Sequence, residues 1–255
     1  MVISHKYKFI FIKTTKVGGT SLEMVLDRLC GAEDVLTPHK HPEDGYTARN
    51  FSGTFDPEPE LAKVLRHEGA LHPDFLKWTR MQQEADELFH EGMPSWQVKY
   101  RVPEAIWHGY FKFTIERNPW DKAISRYYHS KGVYEPKYGK ELTFDAWLDF
   151  WEGLLARPWV TKAWGSEAPY NFPRYADPWT DDVLVDKICR YENLDAELQE
   201  VFARVGLPWP GSIPRKAKTG YRKDRRPYQE VLTADQRERI AKACAKEIAL
   251  MGYTY

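Results

Sequence analysis

Two short segments carry residue types that hold anions. At 16–21 the chain reads KVGGTS, just after the apolar run FIFI and just before a helical pattern. Gly18 and Gly19 permit a sharp turn and a close approach that a side chain would block. Their N–H groups, with those of Thr20 and Ser21, can converge on one anion. The following helix adds its positive end, Lys16 adds a full charge, and the two hydroxyls add donors. The order differs from a nucleoside-triphosphate loop, where the lysine follows the glycines. At 117–125, RNPWDKAIS, Arg117 stands where a strand ends and Ser125 lies two turns into the next helix. Both can face the carboxyl edge of a sheet, and the guanidinium offers a two-pronged fork for a phosphate. Taken singly, each segment has a plainer and better reading: a capped strand–helix turn, and a structural arginine with an exposed serine.

The elements that must position these residues are legible from periodicity. Residues 7–13 read as a strand. Residues 20–29 read as a helix, with Leu22, Val25, Leu26 and Leu29 on one side and Gly31 closing it. Residues 32–57 are loop-rich and 58–108 mostly helical. YFKFTI at 110–115 alternates as a strand, and Asn118, Pro119 and Asp121 then open a helix. A helix is expected near 143–156 and a strand within 183–192. Asn193 is expected to cap a helix that Gly206 and Pro208 stop. The last helix begins with Thr233 and Gln236 in capping-box positions, and Ile240, Cys244 and Ile248 form its inner stripe. Strand–cradle–helix units of this kind predict an α/β fold: a central parallel sheet flanked by helices, with a P-loop-like cradle. No boundary divides the chain, so 1–255 is expected to be a single domain.

Composition narrows the partners. The 255 residues hold 37 Lys+Arg and 37 Asp+Glu, so no global charge points to nucleic acid or an acidic membrane, and any anion site is local. Three cysteines, Cys30, Cys189 and Cys244, share no metal spacing and read as reduced thiols. No segment has the length of a signal core or a membrane span, and the expected location is the cytoplasm.

Read together, the two segments resemble the sulfotransferases that use PAPS (3′-phosphoadenosine 5′-phosphosulfate), in the carbohydrate, heparan 2-O-like branch. In that family strand–PKTGGTS–helix holds the 5′-phosphosulfate and strand–RNP…R…S–helix the 3′-phosphate. The corresponding text here is FIKTTKVGGTSLE and FKFTIERNPWDKAISRYY. The resemblance continues in ICRYENLDAELQEVFARVGLP and in GYRKDRRPYQEVLTADQRERIAKACAKEIALMGYTY. Thr15 stands where the family usually has proline, Val17 where it often has threonine, and Lys122 where it often has arginine. The resemblance implies transfer of a sulfo group from PAPS to an acceptor hydroxyl on a carbohydrate, leaving PAP (adenosine 3′,5′-bisphosphate), with no metal required. Lys16 would stabilise the leaving phosphate, Gly18, Gly19, Thr20 and Ser21 would cradle it, and Arg117 and Ser125 would clamp the 3′-phosphate.

The resemblance also implies a general base. His90, in LFHEGMPSW, lies 27 residues before Arg117, and a neutral imidazole of pKa about 6.5 suits proton abstraction. His39 and His41 are rivals, and Glu23, read as an ordinary helix-start acid, is a weaker one. In the basic loop PRKAKTGYRKDRRP, Lys218, Tyr221 and Arg222 are candidates for the 3′-phosphate or adenine; the loop could instead bind an anionic polysaccharide. The aromatic stretch at 159–179 either covers sugar rings or packs core. Two other functions remain as rivals, a P-loop kinase and a non-catalytic module for sulfated or phosphorylated glycans.

Overall fold

The structure is a computed structural model that describes residues 1–39, 45–156, 170–214, 224 and 226–255, with only the backbone of residue 138. Its first strand was not foreseen. β1 (Val2–Ser4) pairs antiparallel with β2 (Phe9–Phe11), Val2 opposite Phe11. Asp34 holds the intervening turn, accepting from Ser4 Oγ at 2.8 Å and from the His5 amide at 2.6 Å. After β2 come α1 (Gly19–Leu29) and β3 (Val35–Leu36), which adds antiparallel to the outside of β1. The helical region contains α2 (Glu58–Glu68), α3 (Pro73–Glu84), α4 (Ser95–Arg101) and α5 (Glu104–Gly109). Then follow β4 (Phe111–Glu116), α6 (Pro119–Tyr138), α7 (Phe144–Leu155), α8 (Phe172–Tyr175), β5 (Lys187–Arg190) and α9 (Leu194–Val205). The chain closes with α10 (Tyr228–Val231), α11 (Ala234–Ala243) and α12 (Ala245–Met251).

The sheet order is β3-β1-β2-β4-β5. Only β2, β4 and β5 are mutually parallel, so the expected parallel sheet is in fact mixed. A four-residue connection between β1 and β2 leaves room only for a hairpin, whereas parallel neighbours need a long crossover. The parallel trio has the consequence for function: the chain leaves β2, β4 and β5 at the same edge.

Alternation along β2 and its extension sorts the two faces. Phe9 and Phe11 join Leu22 and Leu26 of α1 and Leu198, Val201 and Phe202 of α9. Ile10 and Ile12 join Val98 of α4, Trp107 of α5, and Phe172 and Tyr175 of α8. A third cluster packs Trp120, Ile124 and Tyr127 of α6 against Trp147 and Trp151 of α7 and Ile240 of α11. The foreseen capping box at Thr233 is formed, and the final helical segment breaks into two at Cys244. Asn118 caps α6, accepting from the amides of Trp120 and Asp121, but Asn193 gives α9 no side-chain cap.

Candidate functional site

The first loop begins where β2 and β4 stop pairing. Thr14 Oγ1 donates to the Ile115 carbonyl, and Thr114 Oγ1 donates to the Ile12 carbonyl at 2.7 Å, so threonines on both strands extend the ladder into the loop. Lys16 and Gly18 then take left-handed angles, φ 61° and 76°. A left-handed lysine is disfavoured and must be held by its surroundings. Gly19 opens α1, and a Cβ there would lie 3.1 Å from Lys13 Cγ. No side chain caps α1, and no acid stands in its first turn. Its leading amides have no partners within the helix, and Thr20 and Ser21 bring their hydroxyls to the same end.

The second loop leaves β4 beside the first. Arg117 Nη1 donates to the Lys16 carbonyl at 3.1 Å. Its guanidinium lies 4.4 Å from the centre of the Tyr191 ring, whose edge is 3.5 Å from a Cβ placed on Gly18. Lys16, Gly18, Arg117 and Tyr191 thus form one continuous patch where three parallel strands end. Nε and Nη2 of Arg117 are engaged with Asp121 Oδ2 at 2.8 and 2.5 Å, so an incoming anion must share the fork with that carboxylate. Ser125 is half-buried, two turns into α6. From the third strand end, Glu192 accepts from the Asn118 amide at 2.6 Å and braces the turn.

Each loop rests on a buried ion cluster. Beneath the first, Glu23 Oε2 accepts from Lys13 Nζ at 2.5 Å and from His39 Nε2 at 2.7 Å, while Oε1 meets the α-amino group of Met1. Lys13 also bonds Glu91 at 2.7 Å. Burial alone would raise the Glu23 carboxyl, but Lys13, the amino group and His39 outweigh it and hold it well below the ordinary carboxylate range. Burial pulls Lys13 down, and its two carboxylates more than offset this, leaving it raised. Glu23 is therefore no surface acid at a helix start, and His39 is no open loop residue: both side chains are fully buried, with His39 stacked on Tyr46 at 4.0 Å. Under the second loop, Lys122 lies 2.7 Å from Glu116 and 3.5 Å from Glu247, all three buried. Burial raises the Glu247 carboxyl, and Glu116 adds to this against the pull of Lys122.

His90 sits in the turn whose next residue, Glu91, reaches Lys13 and so borders the cradle. Its Nδ1 donates to the Glu91 carbonyl at 3.2 Å, which leaves Nε2 as the acceptor nitrogen. That Nε2 is buried without a partner. The expected pKa of about 6.5 needs correction: burial, with Arg101 and Arg174 nearby, lowers it to about 3.

Tyr221, Arg222, Lys218 and His41 lie outside the described residues. Of the aromatic stretch, Phe172 and Tyr175 are core residues, and Trp179 packs edge-on against Trp96 at 5.3 Å. Sequence reasoning passed over Lys13, Glu91, Asn171, Tyr191 and Glu192. A lysine at the end of an otherwise apolar run was the available signal for Lys13; the others become neighbours only through the fold.

The mixed α/β sheet presents both loops at its carboxyl edge. The Sulfotransferase family matches residues 1–254, and the chain belongs to that family. An uncharacterized protein of Archaeoglobus fulgidus is 36% identical over 117 residues, which are 46% of this chain and 84% of the relative. No solved structure matches the chain. Among the described residues no helix is long and apolar enough to cross a membrane, and no group of three or more His, Cys, Asp or Glu is placed to hold a metal ion.

Proposed function

We propose that this chain moves the sulfo group of PAPS to a hydroxyl of a carbohydrate acceptor. The observation that supports it best is the bond from Arg117 Nη1 to the Lys16 carbonyl, which joins the two anion loops into one patch. A donor with phosphate groups at both ends of a nucleoside suits such a patch. In this reading Lys16, Gly18, Gly19, Thr20 and Ser21 hold the 5′-phosphosulfate, and Arg117 and Ser125 hold the 3′-phosphate. The cradle fits a close-lying phosphate: Gly18 needs its positive φ, and a side chain on Gly19 would meet Lys13.

Sulfuryl transfer, like phosphoryl transfer, depends on in-line positioning and charge stabilisation. The bond between sulfur and the 5′-phosphate oxygen breaks as the bond to the acceptor oxygen forms. Lys16 and the start of α1 stabilise the charge returning to the phosphate. In this reading His90, with Nε2 as its lone-pair nitrogen, takes the acceptor proton, although burial lowers its pKa to about 3 and makes it a weaker base than a free imidazole. Tyr221 and Arg222 complete the nucleotide site in this proposal. The lysine-before-glycine order disfavours a P-loop kinase, and an intact Lys16 disfavours a purely glycan-binding role.

The test is calorimetric titration with PAP, together with a screen of oligosaccharide, phenol and lipid acceptors using radiolabelled PAPS without magnesium. Binding and label on an oligosaccharide are expected. No heat with PAP removes the donor assignment, and label on phenols or lipids alone removes the acceptor.

A further inference from the structure

Besides the bond from Arg117 to Lys16, a second residue ties the two loops together. Asn171, fully buried at the entry to α8, aims its side-chain amide at Thr15, the residue before Lys16. Oδ1 accepts from the Thr15 amide at 3.0 Å and from Thr15 Oγ1 at 2.8 Å, and Nδ2 donates to the Thr15 carbonyl at 3.2 Å. One side chain thus meets both backbone groups of Thr15, as a neighbouring strand would. The same Nδ2 donates to Glu116 Oε1 at 3.1 Å. That oxygen also accepts from the Arg117 amide at 2.9 Å and from Lys122 Nζ at 2.7 Å. Behind it, Glu247 Oε1 accepts from the backbone amide of Asn171 at 2.7 Å.

We infer that Asn171 is a positioning residue that fixes the first anion loop against the second; its effect on nucleotide affinity rests on the donor reading above. Thr15 has no ring to set its φ, and the next residue, Lys16, is held in a left-handed conformation. Asn171 clamps the chain just before that strained residue, and Arg117 clamps the Lys16 carbonyl just after it. Glu116 and the Arg117 amide belong to the second loop, so the Asn171 amide bridges the two loops beside the direct bond from Arg117 to Lys16. The charged groups facing that amide are Glu116 from β4, Lys122 from α6 and Glu247 from α12, with the Tyr175 hydroxyl of α8 buried beside the two carboxylates.

Three variants test this. Asn171→Ala is expected to bind PAP about tenfold or more weakly, the equivalent of one or more lost buried hydrogen bonds. Amide exchange across residues 14–18 should quicken by a similar factor. Asn171→Asp replaces the Nδ2 donor with an oxygen facing two acceptors, so it holds the loop only when protonated. Its PAP affinity should fall from about pH 5.5 to about pH 8 by roughly tenfold more than that of the wild type. Thr15→Val removes only the hydroxyl bond; it should quicken exchange modestly, and it decides the matter by the same readout if Asn171→Ala does not fold. Wild-type affinity and exchange in the variants that fold, or an Asn171→Asp pH profile parallel to the wild type, overturn the inference. A wild-type protein that binds no PAP overturns the donor reading instead, and the exchange measurements still decide the role of Asn171.

Discussion

Replacing Glu23 by glutamine removes one negative charge from a place that water does not reach. The carboxylate is fully buried and holds Lys13 at 2.5 Å and His39 at 2.7 Å. With it neutralised, Lys13 keeps only Glu91, whose side chain is 20% exposed. Breaking a buried pair while leaving its partner charged costs about 3–5 kcal/mol. At roughly 2–4 °C per kcal/mol for a chain of this size, the melting midpoint at neutral pH should drop by about 6–20 °C. The loss must also depend on pH in one direction. A carboxyl depressed in the folded state contributes fully above its unfolded value of 4.5 and less as pH falls through it toward the folded value. Each pH unit below that value removes about 1.4 kcal/mol, so near pH 3 about 2 kcal/mol of the difference should be gone. The assay is calorimetric or fluorescence melting of wild type and Glu23→Gln from neutral to acid pH. His90 makes both proteins less stable as pH drops, because the unfolded chain binds its proton first; that slope is common to both and cancels in the difference. A midpoint unchanged at neutral pH, or a gap that widens with acid, refutes the reasoning.

Lys16→Ala should abolish labelled-sulfo transfer while the protein still melts cooperatively; transfer at the wild-type rate would exclude its role. With His90 lowered to about 3, the pH–rate profile should show no inflection near the ordinary imidazole value of about 6.5. His90→Ala should lower kcat with PAP affinity preserved, and loss of affinity instead would make the residue structural. Glu247→Gln should be tolerated within about 1 kcal/mol, because the side-chain oxygen that accepts from the Asn171 amide is kept and Lys122 retains its nearer partner Glu116 at 2.7 Å. Glu116→Gln should cost more, up to about 3–5 kcal/mol, by leaving Lys122 only the more distant Glu247 at 3.5 Å, and equal melting midpoints for the two variants would refute this distinction.

What was legible in the sequence follows from which interactions are local. The α1 stripe, the Asn118 cap and the Thr233 capping box involve residues two to four apart, and each stands where its spacing placed it. The two strand-to-helix loops were also legible, because glycines and helix-start residues act within one turn of chain. β1 was missed: three residues are too few to show alternation, and the strand exists only by pairing with β2 and β3. The parallel sheet was misjudged for the same reason, since strand direction depends on a partner. Glu23 was misread because helix-start acids are ordinary, and only the arrival of Lys13 and His39 from other segments turns it into a buried hub.

The two hubs share a logic. An anion site concentrates positive charge before its ligand arrives: in the site proposed above, Lys16, Arg117 and two helix starts crowd one edge. A carboxylate buried immediately behind each loop, Glu23 for the first and Glu116 for the second, offsets that repulsion without occupying the anion's place. A carboxylate alone in the interior would be too costly, so each is matched by a buried lysine, Lys13 or Lys122. The lysines are not ligands in this arrangement. Each pairs with its carboxylate at 2.5 or 2.7 Å and holds it in place behind the loop. Asn171, bonded to Thr15 on one side and Glu116 on the other, links one loop to the next.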